Sequence, residues 1–142
     1  MTPEMQRHIP MLYGWQATNL GPGLVFDYYR QPNGQRAPNL EEVILSQGLT
    51  AEIKRAIDCL SAFILNNAPW MRHPVPFNIV YAADKNLKLI DCIGTYTMPW
   101  RRHLPVIRNQ RRRRHLAYMS KSISELQKQY EKSKGSFLEK TL

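Results

Sequence analysis

Apolar residues recur at helical spacing in the central part of the chain. In residues 53–64, successive apolar positions lie one or three residues apart. This is the stripe of an amphipathic helix, and it predicts a helix that begins after Thr50 and ends near Asn67. A shorter helix is predicted just before it, because Asn39 is a favourable N-cap and Gly48 a favourable C-terminal stop.

Short apolar and aromatic runs on either side of these helices predict two β-hairpins. The first has strands over residues 11–18 and 24–29, joined by a turn rich in glycine and proline. The second has strands over residues 77–81 and 87–91, joined by a polar turn. The proline-containing stretch 70–76 is predicted to be an extended loop. Together the elements predict an α+β fold.

The C-terminal third of the chain is basic and helical in pattern. One helix is predicted over much of residues 106–119, and a second, charged helical segment over residues 120–134. We therefore expect a folded domain in residues 1–119 and a C-terminal charged helix and tail in residues 120–142.

The composition fits a single domain without a membrane span. The chain has 142 residues, 43% of them hydrophobic, which suffices for one compact core. No apolar run approaches the roughly 20 residues of a transmembrane helix. The N-terminus lacks the apolar segment of a secretory signal, so we expect a cytoplasmic protein. Cys59 and Cys92 show no metal-ligand spacing, and we expect both to fill the apolar interior.

Positive charge is concentrated in one block. The net charge is +9, and residues 101–115 contain no acidic side chain. The arginines of this block are Arg101, Arg102, Arg108, Arg111, Arg112, Arg113 and Arg114. Such a cluster attracts an anionic partner, for example nucleic acid, phospholipid head groups or an acidic protein surface. A solvated helix face explains the same pattern, so both interpretations stay open.

The order of the predicted elements resembles the catalytic core of protein kinases. Two helices, a proline-containing loop and a strand-turn-strand unit follow one another. Asn78 and Asp91 stand thirteen residues apart, which is the usual spacing of the two magnesium-binding residues in that family. Gly94 follows Asp91 by three residues instead of two. The segment 78–94 is thus similar to the end of a kinase catalytic loop followed by a loosened Asp-Phe-Gly motif.

A closer resemblance is to the bacterial YrbL family of PhoP regulatory network proteins, which are kinase-like in sequence. Residues 9–26 are similar to the opening hairpin of that family. Residues 78–80, 89–91 and the arginines at 111–114 are similar to its later segments. The resemblance extends from about residue 9 to about residue 119.

The resemblance implies a protein-kinase-like fold, mainly the helical C-terminal lobe preceded by a short β-hairpin. It implies magnesium ligands at Asn78 and Asp91, and ATP with magnesium as the cofactors if any bind. It also implies a cofactor-binding hinge against adenine, formed by Leu24, Val25, Phe26 and Asp27. Without the resemblance, the favoured interpretation is that Asn78 begins a strand and hydrogen-bonds its own loop, and that Asp91 is a turn residue at a strand end.

Two departures from the kinase pattern bear on catalysis. Counting back five residues from Asn78 reaches His73, where kinases have the catalytic aspartate. A histidine accepts protons near neutral pH, but a loop histidine without a role is the favoured interpretation. Before Ile9 there is no room for a glycine-rich phosphate loop and a lysine-bearing strand, so most of an N-terminal lobe is expected to be missing.

Three functions follow from these features. The favoured one is a degenerate or truncated kinase-like regulatory or binding module in bacterial signalling. The alternatives are an active, magnesium- and ATP-dependent phosphotransferase of unusual construction, and sequence-independent nucleic-acid binding through the arginine-rich block. Without the lobe that would cover it, the hairpin around Leu24, Val25 and Phe26 is expected to be an exposed apolar patch. This predicts either self-association through the hairpin or a protein partner there.

Overall fold

The computed structural model describes residues 2–67, 72, 74–91 and 105–139, without the side chains of residues 105, 108 and 137–139. Within these residues the chain is a mixed α+β structure, as predicted, with two separate antiparallel hairpins. The elements in chain order are α1 (Pro3–His8), β1 (Leu12–Thr18), β2 (Gly21–Phe26), α2 (Leu40–Gln47), α3 (Ala51–Asn67), β3 (Ile79–Tyr81), β4 (Leu87–Leu89) and α4 (Pro105–Glu139), with a 3-10 turn at Pro76–Asn78 before β3.

The first hairpin has a tighter turn than predicted, and it contains a bulge. Thr18 lies opposite Gly21, so the turn consists of residues 19–20 alone. The Thr18 hydroxyl closes this turn by donating to the carbonyl oxygen of Gly21 at 2.6 Å. The pairing register shifts between Leu12 and Gly14. Gly14 has a φ of 111° there, a conformation that glycine adopts without steric strain.

Helices α2 and α3 begin and end where the local signals predict. The Asn39 side chain accepts the N–H of Glu42 at 2.8 Å, and the Glu42 carboxylate accepts the N–H of Asn39 at 2.9 Å. This capping box satisfies two backbone donors at the start of α2. Gly48 ends the helix. At the start of α3, the hydroxyl of Thr50 accepts the N–H of Ile53 at 3.3 Å.

The second hairpin is part of the core. Ile79 lies opposite Leu89 in the β3–β4 pair, and both are fully buried. The N–H of Tyr81 also donates to the carbonyl oxygen of Pro38 at 2.9 Å, which ties β3 to the segment before α2. The core cluster around this hairpin consists of Leu40, Val43, Ile44, Ile53, Ala56, Leu60, Phe63, Ile64, Ile79, Leu87, Leu89, Met119, Ile123 and Leu126.

The C-terminal helix α4 is continuous where the sequence predicts two segments. It crosses residues 119–120 without interruption, and Met119, Ile123 and Leu126 are buried on its inner face. The side-chain oxygen of Gln127 accepts the N–H of Leu49 at 2.9 Å, which ties α4 to the residues that follow α2. The division of the chain at residue 120 stays a prediction.

A short N-terminal helix, α1, forms where no element is predicted. Its end is fixed by His8, which is only 3% exposed. The Nδ1 of His8 lies 2.8 Å from the carbonyl oxygen of Leu87, and since a carbonyl only accepts, Nδ1 carries the proton. The imidazole ring also packs on Phe63, with the ring centroids 4.9 Å apart. The hydrogen bond to Leu87, which is far away in sequence, thus fixes the position of α1.

The prediction that Cys59 fills the interior is wrong. Its side chain is exposed, although Cys59 stands three residues after Ala56 and four before Phe63 and so borders the buried stripe of α3. Successive residues of a helix point roughly 100° apart, which places Cys59 at the solvent edge of this stripe, well away from Leu60 at its centre. Cys92 lies outside the described residues.

Candidate functional site

Asn78 and Asp91 lie at the same end of the second hairpin. The N–H of Ile90 donates to the carbonyl oxygen of Asn78 at 2.9 Å, which continues the β3–β4 pairing by one residue. Asp91 follows directly after Ile90, so the fold brings the two residues to neighbouring strand ends. Asn78 is half-buried and Asp91 is exposed, which leaves the carboxylate accessible to a ligand.

Asp91 has a backbone conformation that is uncommon outside glycine. Its φ is 49°, in the left-handed region that Asp and Asn enter more readily than other side chains. Residues held in sparsely populated conformations are concentrated at functional sites, although tight turns use the same region. The geometry is therefore compatible both with a ligand-binding aspartate and with a strand-ending turn.

The two residues supply few metal ligands. In the part of the chain that the structure describes, no group of three or more His, Cys, Asp or Glu side chains could hold a metal ion. Asn78 and Asp91 offer one amide oxygen and one carboxylate. Magnesium takes six oxygen ligands, usually one or two carboxylates with water and substrate phosphates. These residues therefore fit magnesium when water and the phosphate oxygens of a ligand complete its coordination.

The predicted hinge residues lie on the first hairpin and at its base. Leu24, Val25 and Phe26 are exposed by 45%, 42% and 48%, and Asp27 is half-buried. The Asp27 carboxylate accepts the N–H of Met11 at 2.8 Å. Its hydrogen bonds therefore hold the two ends of the hairpin together, and the role of these residues in binding adenine stays a prediction.

Two tyrosines complete the hydrogen bonding of Asp27. The hydroxyl of Tyr13 donates to Oδ1 at 2.7 Å, and that of Tyr29 to Oδ2 at 3.4 Å. The hydrogen bond from the Met11 N–H, and next that from Tyr13, lower the pKa of Asp27 below its usual value. Burial and the neighbouring Asp27 carboxylate raise the pKa of Tyr29. The aspartate is therefore held as an anion by its donors.

Lys88 is a buried cation that links the base of the first hairpin to the second. Lys88 is 6% exposed, and its Nζ lies 3.0 Å from the Asp84 carboxylate. Nζ also donates to the carbonyl oxygen of Gln6 at 3.2 Å and lies 5.5 Å from the ring centroid of Tyr29. Burying a lysine is tolerated when its charge is paired and hydrogen-bonded in this way.

Sequence reasoning missed this cluster of Asp27, Tyr29, Asp84 and Lys88. Its members are spread over residues 27–88, and only the fold brings them together. The available signal was the position of Lys88 between two apolar residues of a predicted core strand. A lysine at such a position needs a partner when the strand is buried on both faces.

The arginine-rich block falls on α4 and on the residues before it. Arg113 and Arg114 are exposed, and Arg111 and Arg112 are half-buried. The residues whose arrangement lies outside the described part of the chain are His73, Arg101, Arg102 and the side chain of Arg108. Anion binding by the block stays a prediction.

The fold and the site define an α+β protein with a helical body, one hairpin in its core and one largely exposed. No helix within residues 2–67 and 105–139 is both long and apolar enough to span a membrane. The chain belongs to the family described as PhoP regulatory network protein YrbL, whose sequence model matches residues 2–124. This confirms the family predicted from the sequence. Comparison with curated proteins gives no significant match.

Proposed function

We propose that the chain is a kinase-like binding module of bacterial signalling that does not transfer phosphate by itself. The observation that supports this most is the position of Asn78 and Asp91 at one end of the β3–β4 hairpin, joined by the Ile90–Asn78 hydrogen bond. In protein kinases, an Asn and an Asp at this spacing hold the magnesium ions of the bound nucleotide.

The order of elements supports a kinase-like fold. A hairpin, a connecting segment, the helices α2 and α3, and a second hairpin follow one another, as in the C-terminal lobe of a kinase with the strands that precede it. In this proposal Leu24 to Asp27 correspond to the segment that lies against adenine. Their exposure leaves them accessible to such a ligand.

The chemistry of the site argues against autonomous phosphotransfer. Kinases use an aspartate to orient and deprotonate the attacking hydroxyl, and His73 stands at that position in this chain. A single carboxylate at Asp91 can hold a metal ion, but it cannot also serve as the base. Binding without turnover is therefore the expected behaviour.

Calorimetry with ATP in the presence and absence of magnesium tests the proposal. We expect weak binding that requires magnesium, because Asn78 and Asp91 coordinate the metal only together with phosphate oxygens. The substitution Asp91→Asn should weaken binding at least tenfold. Asp58→Asn is the matched control, since it makes the same charge change on an exposed part of α3 and should leave affinity unchanged.

The outcomes separate the possible functions. No binding at millimolar ATP, or equal affinity of the two variants, would contradict the role of Asn78 and Asp91. Transfer of labelled phosphate from ATP to the chain or to a generic protein substrate, lost in Asp91→Asn, would instead favour the active phosphotransferase.

Nucleic-acid binding is a second candidate because Arg113 and Arg114 are adjacent and exposed on α4. Binding of this kind weakens steeply as salt rises, since counterions are released from the phosphates. The double substitution of Arg113 and Arg114 by Gln should therefore reduce both the affinity for single-stranded DNA and its salt dependence. Replacing Lys121 and Lys128 on the same helix removes equal charge and is the control. Equal losses in both variants would indicate only a general charge effect.

A further inference from the structure

The first hairpin has one face that is apolar along its whole length. Residues directly opposite in an antiparallel pair point to the same face, and Trp15 lies opposite Leu24 while Leu12 lies opposite Phe26. The bulge between Leu12 and Gly14 brings Leu12 and Trp15 onto one face, although their spacing in a regular strand would separate them. The members of this apolar face are Leu12, Trp15, Ala17, Pro22, Leu24 and Phe26.

The opposite face is different in character. Gly14, Gln16 and Thr18 on β1 lie opposite Val25, Gly23 and Gly21 on β2. Apart from Val25 these residues are small or polar. The hairpin is therefore strongly two-sided, as in a sheet that packs on one side and meets water on the other.

The apolar face is exposed in the chain by itself. All six of its residues are exposed, and Trp15 retains 69% of its accessible surface. An isolated two-stranded hairpin is only marginally stable in water, and it needs further strands or a packed face to persist. A covering layer on this face is therefore expected.

The exposed apolar area is large for a surface without a partner. With aromatic side chains burying ~150–250 Å² each, Trp15 and Phe26 alone present roughly 250 Å². The other four residues of the face are also exposed, and the six together present roughly 500–600 Å². That is at the upper end of the roughly 300–600 Å² of the largest patch on a typical monomer, and it is most of the ~800 Å² that each partner contributes to a standard interface.

Charge favours a second copy as the covering layer. Residues 11–26 contain no charged side chain, whereas the chain as a whole has a net charge of +9. Two copies repel one another over most of their surfaces, and the neutral hairpin is a surface where they can meet without that repulsion. The same lack of cations gives this face nothing with which to attract nucleic acid or an anionic membrane.

We infer that the chain forms a symmetric dimer in which the apolar faces of two first hairpins stack. Two hairpins packed face to face at ~10 Å form a small four-stranded sandwich with Trp15, Leu24 and Phe26 at its centre. The contact is isologous, so it closes at two copies. The dimer covers Leu24 and Phe26, so it excludes adenine from these two residues, but it does not depend on the proposed metal site at Asn78 and Asp91.

Sedimentation velocity of the full chain over a concentration series tests the dimer. The weight-average mass should rise from 16.6 kDa toward twice that value as the concentration increases. Raising the salt should strengthen the association or leave it unchanged, because salt screens the repulsion between the two positive copies. A mass that stays monomeric up to about 100 μM, or a dimer that salt dissociates, would overturn the inference.

A matched pair of variants locates the interface. Trp15→Glu places a charge on the apolar face, and Gln16→Glu places the same charge on the opposite face of the same strand. We expect the first to weaken dimerisation at least tenfold and the second to leave it near the wild-type value. Leu24→Glu should repeat the first result, and circular dichroism should show all three folded. Equal effects of the substitutions at positions 15 and 16 would refute the stacked arrangement.

Discussion

Gly48→Ala is the substitution for which the structure predicts the clearest loss of stability. Gly48 ends α2 with φ 70° and ψ −171°, a region that is almost restricted to glycine and costs other residues about 1–3 kcal/mol. An added Cβ would also lie 2.6 Å and 2.9 Å from two ring carbons of Tyr130. Optimal carbon contacts are at ~3.5–4.0 Å, so the ring or the helix must move.

The two penalties can be combined into an expected magnitude. Forcing an extra carbon into a packed site costs about 1–3 kcal/mol, and the loss of backbone freedom in the unfolded chain returns about 0.4–1 kcal/mol. Taken at their central values, these terms give a decrease of about 3 kcal/mol in the free energy of unfolding. At a urea m-value of about 2 kcal/mol/M, the midpoint should fall by roughly 1.5 M.

A double-mutant cycle with Tyr130→Ala separates the steric part from the backbone part. Without the ring, Gly48→Ala should cost only its backbone strain, so the coupling energy should be about 1–3 kcal/mol. Gly34→Ala is the control for strain alone, because Gly34 has a φ of 82° and nothing near its missing Cβ. An equal cost of Gly48→Ala in both backgrounds would show that α4 does not pack on α2 as described.

Two further predictions concern titrating groups, and both can be read from urea unfolding at several pH values. Burial lowers the pKa of His8 below its usual 6.5, so the unfolded chain binds the proton more readily, and stability should fall as the pH drops below about 6.5. The variant His8→Asn should lack this component, and parallel pH profiles of the two proteins would contradict it. Asp27 has a lowered pKa because of its hydrogen-bond donors, so its stabilising effect is present above the unfolded pKa near 3.8 and is lost as the pH falls through the folded value. Asp27→Asn should speed hydrogen exchange at the amide of Met11, which donates to this carboxylate, and unchanged protection there would refute the role of Asp27 in closing the hairpin.

Helices α2 and α3 could be predicted from the sequence because their signals are local. Asn39 caps the start of α2 and Gly48 caps its end, and both caps involve only residues within one turn. The capping box could also have been read from the sequence, since Glu42 stands three residues after Asn39. Cys59 borders the buried stripe, three residues after Ala56 and four before Phe63, so helical periodicity alone does not decide its exposure.

Other features depend on contacts that a sequence pattern does not reveal. Helix α1 has only six residues, too few for a periodic signal, and its position depends on the hydrogen bond from His8 to Leu87. The continuity of α4 depends on Met119, Ile123 and Leu126 packing into the core on both sides of the predicted break. The neighbouring positions of Asn78 and Asp91 were predictable, because a hairpin places Asn78 opposite Ile90, the residue directly before Asp91.

The separation between the two hairpins makes the metal site and the dimer interface independently testable. The β3–β4 hairpin carries Asn78 and Asp91 and is buried in the core, whereas the β1–β2 hairpin exposes its apolar face. A charge placed at Trp15 on an exposed surface should change the free energy of unfolding of the monomer by no more than about 0.5 kcal/mol. Loss of dimerisation without a change in the monomer's unfolding midpoint would therefore report on the interface, while Gly48→Ala shifts that midpoint through α2 and α4. Measuring the mass and the unfolding midpoint of Trp15→Glu and Gly48→Ala together therefore distinguishes a chain that fails to associate from one that fails to fold.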